Sequence, residues 1–379
     1  MLRPTEEMAP PTFLDLFCGA GGLSLGLTRS GWVPLLAVDS WSDAVATYRR
    51  NFKGHQAVDA DIRELTLHRL SSLLDCRPDW VVGGPPCQGF STVGKRQRQD
   101  PRNDLILEFH RVVRGLRPSG FMIENVLGLR DMGVAPELVT LFEDLGYEVT
   151  WHVLCAADHG VPQLRRRIIV VGHRERGFLM PPVPSHSRTA YITVSDAIDD
   201  LPTLKPGETV TEYDRPSRTA YQRAMRKNSV VLQGHTASKH PPHLVKAISF
   251  IPDGGNRQSI PAEYQPASGF HNSYSRLASH QPAVAVTSNM GKPSGTRCIH
   301  PVQNRGLTAR EGARLQTFPD RFWFESGVTS QRLQVANAVP PQLAHMLGDH
   351  LASTDGWTSD VREIDRQLLL APSRESEAA

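Results

Sequence analysis

From Thr12 to Gly172 the chain alternates short apolar runs with amphipathic stretches, and this alternation constrains its fold more than any other feature. Short apolar runs bounded by turn residues read as buried strands. Thr12 to Phe17, Pro34 to Val38, Ala57 to Asp59, Trp80 to Val82 and Gly120 to Glu124 are such runs, followed by Tyr147 to Cys155 and Arg167 to Gly172. Between them Gly21 to Arg29, Ser42 to Phe52, Asp104 to Leu116 and Glu137 to Leu145 have helical spacing, with Leu105, Phe109, Val112 and Val113 on one face. Strand–helix–strand repetition requires crossover connections, so the expected fold class is α/β with a doubly wound, mostly parallel sheet. Ligands of such sheets bind beyond the strand C-termini.

The character changes after Gly172. Pro181-Pro182-Val183-Pro184 reads as a linker. From there to about Pro301 the chain is rich in Pro, Ser, His and Gly, with short strands at best. Helical signals return at Thr308 to Leu315, and Pro340-Pro341 opens a last helix through about Leu351. The expected organisation is a large domain in two parts, 1–180 and 305–352, with a smaller irregular domain inserted over 181–304. Residues 353–379 form a tail, with 373–379 disordered. At 379 residues the chain accommodates this arrangement.

No run of about 18 apolar residues is present, so no transmembrane helix is expected. Glu6 and Glu7 precede any apolar run, which argues against a signal peptide. The five cysteines are an odd number without tight spacing, as reduced thiols of a cytoplasmic protein would be. A net charge of +3 excludes a polycation. Three basic clusters nevertheless point to surfaces aimed at a polyanion: Lys95 to Arg102, Arg165 to Arg167, and Arg215 to Lys227.

Gly83-Gly84-Pro85-Pro86-Cys87-Gln88-Gly89-Phe90-Ser91 follows the strand at Trp80 to Val82. Two glycines and two prolines stop that strand in a stiff turn. They hold the Cys87 thiol at a strand C-terminus, where a substrate would lie, and this placement favours a nucleophile over an inert core cysteine.

Asp15-Leu16-Phe17-Cys18-Gly19-Ala20-Gly21-Gly22 joins the first strand to the first helix, where glycines let a ligand approach the backbone and the helix N-terminus. A dinucleotide fingerprint would require a further glycine at Ser24, which weakens NAD or FAD and with them a dehydrogenase. Asp39 ends the next strand and is suited to accept ribose hydroxyls. Trp41 is suited to stack on adenine, and Asp61 with Ile62 to meet the adenine amino group. With no phosphate-binding lysine in the loop, this nucleoside pocket fits S-adenosylmethionine better than ATP.

With these residues in order, the chain resembles a C5-cytosine-specific DNA methyltransferase of bacterial type over roughly Thr12 to Leu351. The resemblance rests on Phe17 to Gly22, Gly83 to Ser91, Glu124-Asn125-Val126, Gln163-Leu164-Arg165-Arg166-Arg167 and Arg276-Leu277. It continues through Leu307-Thr308-Ala309-Arg310-Glu311, Leu315-Gln316-Thr317-Phe318-Pro319 and Asn337-Ala338-Val339-Pro340. Two positions depart from the family pattern: Asp39 stands where Glu is more frequent, and Ala336 precedes Asn337 where Gly is usual.

The resemblance implies a Rossmann-like S-adenosylmethionine-dependent enzyme whose inserted domain recognises the target. The Cys87 thiolate would add to C6 of a cytosine flipped out of double-stranded DNA. Glu124, its carboxyl raised by burial, would protonate or hydrogen-bond N3. Arg165 and Arg167 would hold the base, nearby phosphate and the thiol loop. C5 would then take the methyl group, and loss of its proton with elimination of Cys87 would release the product. Phe17, Gly19, Gly21, Gly22, Asp39, Trp41, Asp61, Ile62, Pro85, Leu105, Asn337 and Val339 would bind the cofactor. The basic stretch Thr92 to Asn103 would be a loop that closes over the flipped nucleotide and is poorly ordered without DNA.

The absence of any CxxC argues against zinc at His235, His240 and His243, and no metal is expected. A monomer suffices, and a cognate restriction endonuclease would act independently in a restriction-modification or defence system. A tRNA cytosine-C5 methyltransferase and a catalytically silent DNA-binding relative are the alternatives. The sequence leaves the recognition site, its reading residues and any hemimethylation preference open.

Overall fold

The computed structural model describes residues 9–86, 104–128, 134–174, 180–266, 273–295 and 298–354. Nine strands occur among them: β1 Thr12–Leu16, β2 Val33–Asp39, β3 Ala57–Asp59, β4 Trp80–Gly83, β5 Gly120–Asn125, β6 Glu148–Cys155, β7 Gln163–Leu164, β8 Arg166–His173 and β9 Ala283–Val284. The helices of the first half are α1 Gly22–Arg29, α2 Ser42–Asn51, α3 Leu67–Ser72, α4 Asp104–Leu116 and α5 Val134–Glu143. Those of the second half are α6 Val194–Ile198, α7 Ala220–Arg226, α8 Pro242–Ser249, α9 Ala309–Leu315, α10 Val328–Asn337 and α11 Pro341–Thr354.

Seven strands form one sheet in the order β3-β2-β1-β4-β5-β8-β6. The pairs from β3 to β5 are parallel, while β8 runs antiparallel to both β5 and β6. The sheet is therefore mostly parallel, as the alternation of runs predicts. Alternate residues of its strands feed two cores, because successive side chains point to opposite faces. Leu14, Leu16, Val81, Phe121 and Ile123 pack with Phe109, Val112 and Phe142 of α4 and α5. Phe13, Trp80, Val82 and Met122 pack on the other face with Leu23 and Leu27 of α1 and Leu343 and Leu347 of α11. Helices cover both faces, which defines the doubly wound architecture.

Outside the stretch 181–301, two helices escape the sequence reading. α3 buries only Leu70, so it lacks an apolar stripe, and its start is marked by Thr66, which accepts from Arg69 N at 3.2 Å. α10 buries Gln331 and Gln334 beside Val335 and Ala336, which conceals its inner face among polar residues.

The expectation of short strands over 181–301 is corrected. Among the described residues that stretch holds the helices α6, α7 and α8, and β9 is its only strand. Capping boxes at Thr193 with Asp196 and at Thr219 with Gln222 start α6 and α7. Both helices are too short for periodicity to be legible.

Packing also divides this stretch. Val194, Ala197, Ile198 and Leu201 share a core with Ala313, Leu315, Phe318, Val335 and the loop residue Cys18. Ala247, Ile248, Ile251, Ile260, Tyr274 and Ile299 form a separate cluster. Arg276 is the hub of that cluster, donating to the carbonyls of Ile248 at 2.9 Å, Ile251 at 2.8 Å, His300 at 2.6 Å and Gln303 at 2.9 Å. A buried guanidinium whose donors are met by so many carbonyls fixes the loops around it.

Candidate active site

β1 lies between β2 and β4, so the loops that leave β1 and β4 diverge at this switch point of the strand order. A cavity of about 470 Å³ opens there, within the range of about 300–1,000 Å³ usual for small-molecule sites.

One wall comes from the loop after β1. Phe17 leaves the strand with φ +61, a left-handed conformation rare for an aromatic residue. Cys18 N then donates to Val38 O at 3.1 Å and Gly19 N to Asp39 Oδ2 at 2.8 Å, tying the loop to the end of β2. Asp39 Oδ1 accepts from Trp41 N at 2.9 Å. Burial raises the Asp39 carboxyl above its usual value, against the pull of these backbone donors. A carboxylate oxygen accepting one hydrogen bond retains capacity for another.

Gly19, Gly22, Asp39, Trp41, Asp61 and Ile62 all line the cavity. Gly21 does not, contrary to expectation. It caps α1 with φ +93, and a Cβ there would lie 2.5 Å from the Phe52 ring and 2.8 Å from that of Tyr48. Gly21 therefore serves the turn and its packing against α2. Asp61 reaches the cavity already paired, its oxygens forked by Arg63, which lowers the carboxyl below its usual value.

The opposite wall comes from β4, β5 and β8. Gly83 ends β4 against β1, where a Cβ would lie 2.1 Å from Leu16 O. Gly84, Pro85 and Pro86 follow along the cavity. Asn125 Nδ2 donates to Pro85 O at 3.0 Å, so the end of β5 holds the proline turn. Cys87, the expected nucleophile, and the expected closing loop 92–103 lie outside the described residues.

Glu124 is the penultimate residue of β5, and Arg167 Nε stands 2.9 Å from its Oε1. The N–H is not aligned on that oxygen, which is buried without a hydrogen-bond partner. Glu124 thus meets the site as half of an ion pair with Arg167.

Arg165 lines the cavity as well. It is 3% exposed and donates to Ala336 O and Ala338 O, each at 3.2 Å, so these contacts build the cavity wall. Burial, helped by Arg167, lowers its guanidinium to about 9. Leu105, Asn337 and Val339 also line the cavity.

Three further features emerge. Asp15 lines the cavity almost wholly buried, with Ser24 Oγ donating to its Oδ2 at 2.5 Å and Oδ1 unpartnered. Burial pushes its carboxyl up to about 7. Asn125 was visible only as part of the Glu124-Asn125-Val126 motif, and its bond to Pro85 has no signal in the chain. The basic clusters are less exposed than their sequences imply. Of Arg165 to Arg167 only Arg166 is exposed, and Arg226 lies over the Tyr213 ring at 3.8 Å while Arg215 forks onto Asp214. Arg218, Arg223 and Lys227 remain exposed, and Lys95 to Arg102 lie outside the described residues.

His235 is buried between Thr308 Oγ1 at 3.1 Å and Pro202 O at 2.9 Å, a structural role. Among the described residues, no group of three or more His, Cys, Asp or Glu could hold a metal ion.

The family model of the C-5 cytosine-specific DNA methylase matches residues 11–353. The chain is 42% identical over 345 residues to the Type II methyltransferase M1.HphI of Haemophilus parahaemolyticus, covering 89% of this chain and 86% of that protein. It is 35% identical over 371 residues to the Type II methyltransferase M.DdeI of Desulfomicrobium norvegicum, covering 89% and 88%. Its fold is similar to that of a putative DNA modification methyltransferase encoded within an E. coli prophage, with a TM-score of 0.74 at 24% identity over 91% of this chain and 99% of that one.

Proposed function

The chain belongs to the C-5 cytosine-specific DNA methylase family, and on that premise we propose that it methylates carbon 5 of a flipped-out cytosine in duplex DNA through a covalent adduct of Cys87. The observation that carries this reading is one shared cavity. Glu124, Arg167 and the Pro85-Pro86 turn line it together with Asp39 and Trp41. A nucleoside site and an acid beside the thiol turn thus face the same space.

The cavity fits S-adenosylmethionine in volume and in chemistry. Gly22 provides a cradle that a Cβ would fill, 2.2 Å from Val339 O. Asp39 has acceptor capacity for ribose hydroxyls, and Trp41, Ile62, Pro85, Leu105 and Val339 supply apolar surface around an adenine ring. When bound there, the cofactor supplies the electrophilic methyl group.

The chain's own residues do the remaining work. The Cys87 sulfur forms a bond to C6, which moves electron density toward N3 of the base. Glu124, in its protonated form, donates a hydrogen bond or its proton to N3 and takes the proton back when the adduct breaks down. Arg167 orients Glu124, and Arg165 holds the wall behind it. After C5 is methylated, loss of the C5 proton restores the ring and breaks the C6–sulfur bond, returning the thiolate.

Residues 181–304 are the recognition region in this reading, and the segment with its own core around Arg276 presents the base-reading side chains. Among the described residues, no helix is long and apolar enough to cross a membrane. The enzyme acts as a monomer, and a cognate restriction endonuclease works independently of it.

Expression in a host lacking cytosine methylation, followed by bisulfite sequencing, tests the reading. Protected cytosines within one short motif are expected, and they should vanish with Cys87→Ala while S-adenosylmethionine binding persists. A fully converted genome in the wild-type strain would overturn it.

A further inference from the structure

Gln163 is fully buried where three segments meet. Its Oε1 accepts from Val286 N at 2.8 Å, just past β9 of the recognition region. Its Nε2 donates to Leu315 O at 3.0 Å and to Gln316 Oε1 at 3.1 Å. Gln316, equally buried, donates through Nε2 to Val335 O at 2.8 Å and Ala338 O at 3.3 Å. Arg165 donates to that same Ala338 carbonyl and to Ala336 O. Backbone pairing of β7 with β9, and the bond from Ala283 N to Pro162 O at 2.9 Å, run alongside.

Neither glutamine lines the cavity, yet Ala336, Asn337 and Ala338 at the far end of the path do. The two amides also have a direction. Turning Gln163 over would set its NH₂ against Val286 N–H and its oxygen against Leu315 O, so the pair has one satisfied arrangement. With the hydrogen-bonding groups of both amides met, this buried pair is rigid and specific. A displacement of β9 therefore reaches the cofactor wall through these two side chains.

We propose that Gln163 and Gln316 are positioning residues that couple the recognition region to the cofactor cavity, so that duplex DNA and cofactor strengthen each other's binding through this amide pair. The inference rests on the reading of 181–304 as the DNA-recognition region. Such coupling is reciprocal, and each ligand raises the affinity for the other by the same factor.

The test compares wild type with Gln316→Met, which keeps the side-chain length and removes the amide. A second variant, Gln316→Glu, keeps the acceptor for Gln163 and sets a second acceptor against Val335 O and Ala338 O. Affinity for sheared genomic duplex DNA from a host lacking cytosine methylation is measured with and without saturating S-adenosylhomocysteine. Cofactor affinity without DNA and thermal melting are measured alongside.

The wild type is expected to show a ratio within about 5–150-fold, falling to within about twofold of unity in both variants. Melting temperature should fall in both variants, most in Gln316→Glu, which buries a carboxylate against two carbonyls, so affinities are compared at a temperature where all three proteins are folded. A merely structural role would lower both separate affinities and leave the ratio intact, and that result would overturn the proposal. So would a wild type without any ratio. A wild type that keeps the ratio yet methylates no cytosine would sink the enzymatic reading and leave the coupling standing.

Discussion

Replacing Gly22 by Ala tests whether the contact between the first loop and the Ala336 to Val339 segment shapes the cofactor cavity. The new Cβ would lie 2.2 Å from Val339 O, 3.1 Å from the Phe318 ring and 3.2 Å from Ala338 Cβ. Carbon–oxygen contacts ordinarily begin near about 3.3 Å, so one backbone must yield by about 1 Å. The obstructing atom is a carbonyl oxygen and cannot swing aside. Sliding α11 is blocked one turn further on, where Gly26 packs with its would-be Cβ 2.3 Å from Ala344 Cβ.

Overpacking of this kind costs roughly 1–3 kcal/mol of stability. A displacement of about 1 Å in a positioning wall costs about 10²-fold in function, or about 2.7 kcal/mol. Equilibrium binding of S-adenosylmethionine by calorimetry, with thermal denaturation in parallel, provides the assay. Gly22→Ala should remain folded with an affinity reduced by about 10²-fold. Gly26→Ala makes a comparable clash away from the cavity and should lose stability with a much smaller loss of affinity. Full affinity in a folded Gly22→Ala protein, or equal losses in both variants, would refute the reasoning.

Asp15→Asn should flatten the pH dependence of stability. Burial raises the folded carboxyl from 3.8 to about 7. Between those values the folded state retains a proton that the unfolded state has released, and wild-type stability falls as pH rises by up to about 1.4 kcal/mol per unit; identical slopes in urea denaturation would count against this. Glu311→Gln keeps the capping oxygen for Thr308 N but removes the charge that meets Arg305 at 2.6 Å and 2.9 Å. It should cost about 3–5 kcal/mol near neutral pH. Burial raises the folded Glu311 carboxyl, but the charge and hydrogen bonds of Arg305 outweigh it and hold the group well below its usual value. Its stabilisation is therefore present above that value and lost as pH falls, so the gap between variant and wild type should narrow in acid denaturation. Glu124→Gln should lower turnover by about 10²–10⁴-fold with cofactor affinity unchanged, and a radiolabelled methyl-transfer assay beside calorimetry separates the two.

Much of the fold was legible because its signals are local. Strand runs at Phe13 to Leu16 and Trp80 to Gly83 are buried on both faces and apolar but for Asp15, as central strands tend to be. The glycines and prolines that end them mark turns through their own backbone limits. α3 and α10 were not legible, because one buries a single leucine and the other buries glutamines whose partners lie elsewhere. The short helices α6 and α7 were missed because their starts are set by caps rather than by periodicity.

The sequence by itself determined the alternating layers, the positions of the glycine loop and the proline turn, and most residues that surround the cavity. Only the tertiary structure decided their states and partners. Glu124 is paired because β8 brings Arg167 beside the end of β5. Arg165 faces carbonyls 171 and 173 residues further along the chain, and Gln163 meets an amide 153 residues away. Asp15 and Asp39 carry raised carboxyls because distant segments exclude water from them. Local sequence sets backbone geometry, whereas desolvation and pairing depend on which remote segments close over a side chain, and no local pattern in the chain records that.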